Sequence, residues 1–168
     1  MSFLKKFLTV GALLAVAACS DPSQLGGGAG GAGSGAIGAA GSASDPTSVA
    51  YFQQAVGDRV LFAVDQSTIS AEGQVTLNAQ ANWLTTNADY SAVIEGHADE
   101  KGTREYNLAL GARRANAVRE YLVSRGVAGN RLKTVTYGKE RPIEICSEES
   151  CYARNRRAVT VLAGGLTG

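Results

Sequence analysis

A single histidine, His97, and only three cysteines set the first limits on what this chain can do. One histidine beside Asp99 and Glu100 lacks the second and third strong ligands of a zinc site, so no metal is expected. No serine or cysteine has a placed partner that would make it a nucleophile. Beyond the N-terminus, no apolar stretch approaches the roughly 18 residues a membrane span needs. Surplus charge is lacking too: Lys+Arg number 16 and Asp+Glu 15, for a net +1. Such balance argues against bulk electrostatic binding to nucleic acid. Recognition of a charged partner must then rest on a few placed residues. No cofactor is expected.

Glycine is plentiful, at 21 residues, and nine of them fall within residues 26–41. That stretch has no side chains able to bury a core, and its composition predicts disorder. Ahead of it, Lys5 and Lys6 precede an apolar run over residues 7–18, the layout of an export signal. Val16-Ala17-Ala18 then meet Cys19. This junction resembles the lipobox of bacterial lipoproteins, with Val16 in place of the commoner leucine. The resemblance implies that residues 1–18 are removed and that Cys19 carries a diacylglycerol on its thiol and an acyl chain on its amine. Several chains anchor durably where one binds marginally. Ser20, which is not an aspartate, is compatible with sorting to the outer membrane. The alternative is an ordinary signal peptide with an incidental cysteine. Residues 19–48 form a Gly/Ala/Ser linker, with a root-mean-square span of ~30 Å and a stretched limit of ~100 Å. Its length is either tuned to a gap or simply a spacer.

Residues 49–168 remain for one domain. Residues 59–64 alternate around Val60, Phe62 and Val64, as a strand does. Ser70 is placed to cap a helix over 71–87, with Val75, Leu77, Ala79, Ala81, Asn82/Trp83 and Leu84 on its apolar side. Residues 92–95 read as a buried strand and 96–102 as a polar loop. Thr103 caps a second helix running to about Arg125. Its positions Leu108, Gly111, Ala115, Val118 and Leu122 step by 3, 4, 3 and 4, a single helical stripe. Gly126 ends it. Residues 132–137 and 158–162 are further strands. The order β-α-β-α-β-β predicts an α/β (α+β) sandwich, with helices on one face of a mixed sheet.

Recognition concentrates between Ile94 and Ala115. Asp99 follows a strand. Asn107, Leu110 and Arg114 fall at i, i+3 and i+7, so they share a helix face. A carboxylate and a guanidinium a few ångströms apart suit a zwitterion: Asp99 takes an ammonium, and Arg114 a carboxylate through its planar fork. Backbone N–H groups at the helix start add anion affinity.

At these residues the chain resembles the OmpA-like peptidoglycan-binding domain family. Gly96-His97-Ala98-Asp99, Asn107, Leu110, Arg113-Arg114-Ala115 and Val118 match its pattern in order and spacing. So do Tyr137-Gly138, Pro142 and Asn155-Arg156-Arg157, and the match covers about residues 58–161. The resemblance implies a ligand, the diaminopimelate of uncrosslinked peptidoglycan stem peptides. It also implies that Asp99 and Arg114 bind it while Asn107 and Leu110 shape the site. Phe62-Ala63-Val64-Asp65 retains the family's Asp65, but Ala63 and Val64 depart from it. His97 is either a loop-packing residue or a ligand contact. Arg156 and Arg157 either contact ligand or flank the last strand with a salt bridge. With the lipobox and linker in front, the resemblance implies partners too: TolB and other Tol components, acting in outer-membrane invagination at cell division.

Cys146 and Cys151 form an even pair once Cys19 is lipidated. In an exported protein they predict a disulfide, with two free thiols as the alternative. The leading expectation is a non-enzymatic tether between outer membrane and wall. Two rivals stand beside it: a wall-active hydrolase using His97 with Asp99 or Glu100, and a lipoprotein that binds only other proteins.

Overall fold

The structure is a computed structural model and describes residues 41–164. The expected export signal, Cys19 and the glycine-rich run up to residue 40 lie outside the described residues.

Two helices follow their capping signals. Ser70 Oγ accepts from the Gly73 N–H at 3.1 Å and starts α2, Ala71–Thr86. Thr103 Oγ1 accepts from the Tyr106 N–H and starts α3, Arg104–Ser124. Each side-chain oxygen satisfies an N–H that the first helical turn leaves without a carbonyl. Gly126, at φ 97°, lies just beyond α3 in the left-handed region that glycine tolerates.

The buried stripe of α3 follows the predicted spacing at Gly111, Ala115, Val118 and Leu122, but not at Leu108, which is only half-buried while Asn107 and Leu110 on either side of it are buried. The face of α2 is a correction. Gly73, Leu77, Gln80, Ala81 and Leu84 point inward, whereas Val75 is 71% exposed and Ala79 and Asn82 also face solvent. Val75 lies about 200° around the helix from Leu77, so both cannot reach one core. The polar Gln80 takes an inward position because it has partners there. Its amide donates to the Gly57 carbonyl at 2.7 Å and accepts from Thr160 Oγ1 at 2.8 Å.

Four strands form one mixed sheet in the order β1-β4-β2-β3. They are β1, Arg59–Leu61; β2, Tyr90–His97; β3, Leu132–Gly138; and β4, Arg157–Gly164. β2 and β3 run parallel, while β4 is antiparallel to both β1 and β2. β1 stops three residues short of the predicted strand because its last pair, Leu61 with Arg157, reaches the start of β4. β2 runs two residues past the predicted end, through a bulge between Gly96 and His97.

Both long helices cover the same sheet face. Gly96 of β2 meets Gly111 of α3. Thr160 of β4, paired with Ile94 and therefore on the same face, meets Gln80 of α2. Between these layers lie Val60, Leu77, Leu84, Ile94, Val118, Leu122 and Leu132.

Two features have no counterpart in the sequence reading. A short helix α1, Val49–Tyr51, continues as a wider π turn over Phe52–Gly57 and seats Phe52 against Trp83, with ring centroids 4.9 Å apart. A seven-residue helix α4, Glu149–Asn155, precedes β4. The described structure also begins before the boundary drawn at residue 49. Trp83 Nε1 donates to the Pro46 carbonyl at 2.8 Å, Tyr90 Oη donates to that of Thr47 at 3.0 Å, and Ser48 is 4% exposed. Pro46 and Thr47 therefore pack on the domain although their composition matches the linker.

Candidate ligand pocket

Three segments meet at one end of the sheet: the turn after β1, the loop after β2 and the first turns of α3. They enclose an open pocket of about 270 Å³, lined by Val64, Asp65, Asp99, Lys101, Gly102, Tyr106, Asn107 and Leu110. Asp65 reaches it from a backbone at φ 57°, the one non-glycine residue with positive φ among those described. Tyr106 Oη donates to the Asp65 carboxylate, and this hydrogen bond raises the phenol's pKa. Asn107, 1% exposed, donates from Nδ2 to the Lys101 carbonyl at 2.8 Å and so ties the recognition loop to α3.

Asp99 is 8% exposed, with both oxygens engaged. Oδ1 accepts from the Lys101 N–H at 3.2 Å, and Oδ2 pairs with Arg156 Nη1 at 3.1 Å. Arg156 also pairs through Nη2 with Glu149 and donates from Nε to the Phe62 carbonyl. Burial works against its charge, but hydrogen bonds to Glu149 and Asp99 outweigh it and raise the pKa.

Arg114 lies behind the pocket wall and is 0% exposed. Nε donates to the Gln66 carbonyl at 2.8 Å, Nη1 to that of His97 at 2.8 Å and Nη2 to that of Ala63 at 3.1 Å. Its guanidinium lies 5.2 Å from the centre of the Phe62 ring. Burial pulls its pKa down to about 10, with Asp99 pulling the other way, so it stays charged at neutral pH. One guanidinium thus joins the turn after β1 to the end of β2. Three of its five N–H groups serve those carbonyls, leaving one on each Nη.

Of the sequence candidates, Asp65, Asp99, Asn107 and Leu110 line this one pocket, and Arg114 supports its wall. His97 does not line it. Its neighbour Gly96 faces the helices, so the next side chain in the strand turns to the opposite face. There the imidazole, 1% exposed, packs 5.5 Å from the Tyr137 ring, with Nε2 3.7 Å from Glu95. Burial, then the charges of Arg157 and Arg141, push its pKa down to about 4. Neither ring nitrogen has a hydrogen-bond partner among the described residues. Among those residues, no cluster of three or more His, Cys, Asp or Glu side chains is arranged to hold a metal ion.

Lys101 and Tyr106 escaped the sequence reading because a loop lysine and a first-turn tyrosine look like solvated residues. For Arg156, the Asn155-Arg156-Arg157 triplet gave a signal without a partner. Cys146 and Cys151 are joined by a disulfide, their Cα atoms 5.9 Å apart.

A four-stranded mixed sheet with two helices on one face and this pocket at its end define an OmpA-like domain. The OmpA family model matches residues 61–156. The peptidoglycan-associated lipoprotein of Mesorhizobium japonicum is 52% identical, over 91% of this chain and 88% of its own. That of Rhizobium meliloti is 58% identical over 73% and 69%. The crystal structure of the peptidoglycan-associated lipoprotein from Burkholderia pseudomallei superposes with a TM-score of 0.64 at 36% identity, covering 72% of this chain and 98% of that one. The C-terminal domain of Helicobacter pylori MotB shares the fold, at a TM-score of 0.60 and 20% identity. The chain belongs to the OmpA family, among its peptidoglycan-associated lipoproteins.

Proposed function

We propose that this chain tethers the outer membrane to the cell wall by binding the diaminopimelate of peptidoglycan stem peptides. The observation that carries the reading is the pocket itself. Two carboxylates, Asp65 and Asp99, and one ammonium, Lys101, face a single opening beside the start of α3. An amino-acid head group carries the matching charges. Its ammonium would pair with Asp99, and its carboxylate would meet Lys101 and the first N–H groups of α3, with Arg114 holding the wall behind them.

The rest of the proposal follows the sequence. Residues 1–18 direct export, Cys19 carries the lipid, and the residues after it supply reach from the membrane to the wall. Engagement of TolB and the Tol–Pal machinery at division is part of the same proposal, supported by the likeness to peptidoglycan-associated lipoproteins. The hydrolase reading gains nothing from His97, which is buried and does not line the pocket.

Co-sedimentation with purified sacculi tests the reading. The full chain should pellet with protein-free wall, and Asp99→Asn should remain in the supernatant while its circular dichroism spectrum is unchanged. Equal pelleting of the two proteins would remove Asp99 from the site.

A further inference from the structure

The recognition loop is held in two different ways. Its backbone is held by Asn107, which binds the Lys101 carbonyl, and by Lys139, which donates to the Gly102 carbonyl at 2.8 Å. Its side chains are held from the disulfide-closed turn and α4. Arg156, just past α4, pairs with Asp99. Tyr152 Oη donates to Glu100 at 2.9 Å, and the Tyr152 ring lies 4.5 Å beneath the Lys101 ammonium. Three consecutive loop side chains therefore take their positions from one short helix and the residue that ends it.

That helix has little to hold it by itself. Seven residues are about half the length at which an isolated helix becomes marginally stable. Its N-cap, Glu148, makes no side-chain capping bond. At its far end, Asn155 Oδ1 accepts from the Ile143 and Glu144 N–H groups. At its near end, the Cys146–Cys151 crosslink fixes the first turn, which carries Glu149.

Glu149 matters electrostatically. Asp99 and Arg156 alone make a neutral pair, and a neutral pair has little pull on an ammonium. Glu149 on the other side of Arg156 restores a surplus negative charge to the cluster. We infer that the disulfide-closed turn is a positioning device for the pocket: the crosslink holds Glu149 on Arg156, which leaves Asp99 able to take the ligand's ammonium. The inference rests on the wall-binding reading above and assigns Glu149, Tyr152 and the Cys146–Cys151 bond to the same site.

The test is calorimetric titration of the full chain in detergent micelles with the tripeptide L-alanyl-γ-D-glutamyl-meso-diaminopimelate. Glu149→Gln and the double variant Cys146→Ser/Cys151→Ser should each bind roughly tenfold more weakly than the oxidised wild type, a typical site-to-site coupling. Glu149→Asp, which keeps the charge, should recover most of the loss. Amide resonances of Asp99, Glu100 and Lys101 should shift in both weakened proteins while those of Leu77 and Leu84 stay in place, a pattern that general destabilisation would not give. Reduction of folded wild-type protein with dithiothreitol should reproduce the loss, and reoxidation should reverse it, independently of how the variants fold. Unchanged affinity in Glu149→Gln and in reduced wild type would overturn the positioning role and leave the wall-binding reading intact. No binding by oxidised wild type would overturn both.

Discussion

Gly96 and Gly111 meet where β2 crosses beneath α3, and neither has room for a side chain. A Cβ on Gly96 would lie 1.8 Å from the Gly111 carbonyl oxygen, and one on Gly111 would lie 2.4 Å from Thr136 Oγ1 and 2.8 Å from the Gly96 carbonyl oxygen. This approach sets the spacing between sheet and helix, and so the depth of the pocket built from their ends.

Gly96→Ala should therefore destabilise the domain by about 3 kcal/mol, the upper range for overpacking, because the atom in the way is backbone. Gly126→Ala is the contrasting case. Nothing lies within 4 Å of its added methyl, so only the left-handed φ of 97° penalises it, by about 1 kcal/mol. Urea denaturation of the two variants checks the order.

Arg114→Ala should lose wall binding and stability together. Its removal takes a donor from three backbone carbonyls, of which Ala63 keeps a second one in the Gln66 N–H, and leaves a cavity, for about 3 kcal/mol or more. Asp99→Asn separates the two effects, since the amide keeps the shape and loses the charge. Sacculus pelleting set beside the thermal midpoint should show both variants failing to bind, with Asp99→Asn, which keeps Glu149 on Arg156, losing the smaller share of stability.

His97 predicts a pH dependence of stability. Its folded pKa, about 4, lies below the ordinary value of 6.5, so the unfolded chain binds the proton first. The neutral ring's contribution is complete above pH 6.5 and is lost as pH falls from there to about 4, by at most about 3 kcal/mol. The groups around it are Arg157, Arg141, Glu95 and Tyr137. His97→Phe should remove this share of the slope. Denaturation curves collected between pH 7 and pH 4 for both proteins give the difference directly.

A chain starting at Val49 should be less stable than one starting at Gly41. It loses the Trp83–Pro46 and Tyr90–Thr47 hydrogen bonds and the Ser48 cap of α1. Each is worth about 1 kcal/mol. Differential scanning calorimetry of the two truncations measures the gap.

Local rules made much of this architecture legible. Ser70, Thr103 and Gly126 carry their own capping chemistry, and the α3 stripe from Gly111 to Leu122 follows from helix geometry alone. Asp99, Asn107 and Leu110 converge because a strand, a loop and a helix follow one another within twenty residues. The missing parts depend on distant partners. Arg156 finds Asp99 across 57 residues, and Gln80 finds Thr160 across 80. A seven-residue helix inside a polar, disulfide-bounded segment has too few turns to show a period. Pro46 and Thr47 look like linker because what fastens them is their carbonyl oxygens, which composition does not reveal.

The last strand in sequence is an inner strand of the sheet. β4 lies between β1 and β2, with Ala158 paired to both Val60 and Gly96. A chain that emerges N-terminus first presents β1 and the β2–β3 pair before the strand that joins them. Until residues 157–164 arrive, β1 has no neighbour in the sheet. Nucleation is then held back by long-range loop closure, which slows folding. A growing polypeptide of this sequence therefore leaves the β1 side of its sheet open until nearly all of it has been made.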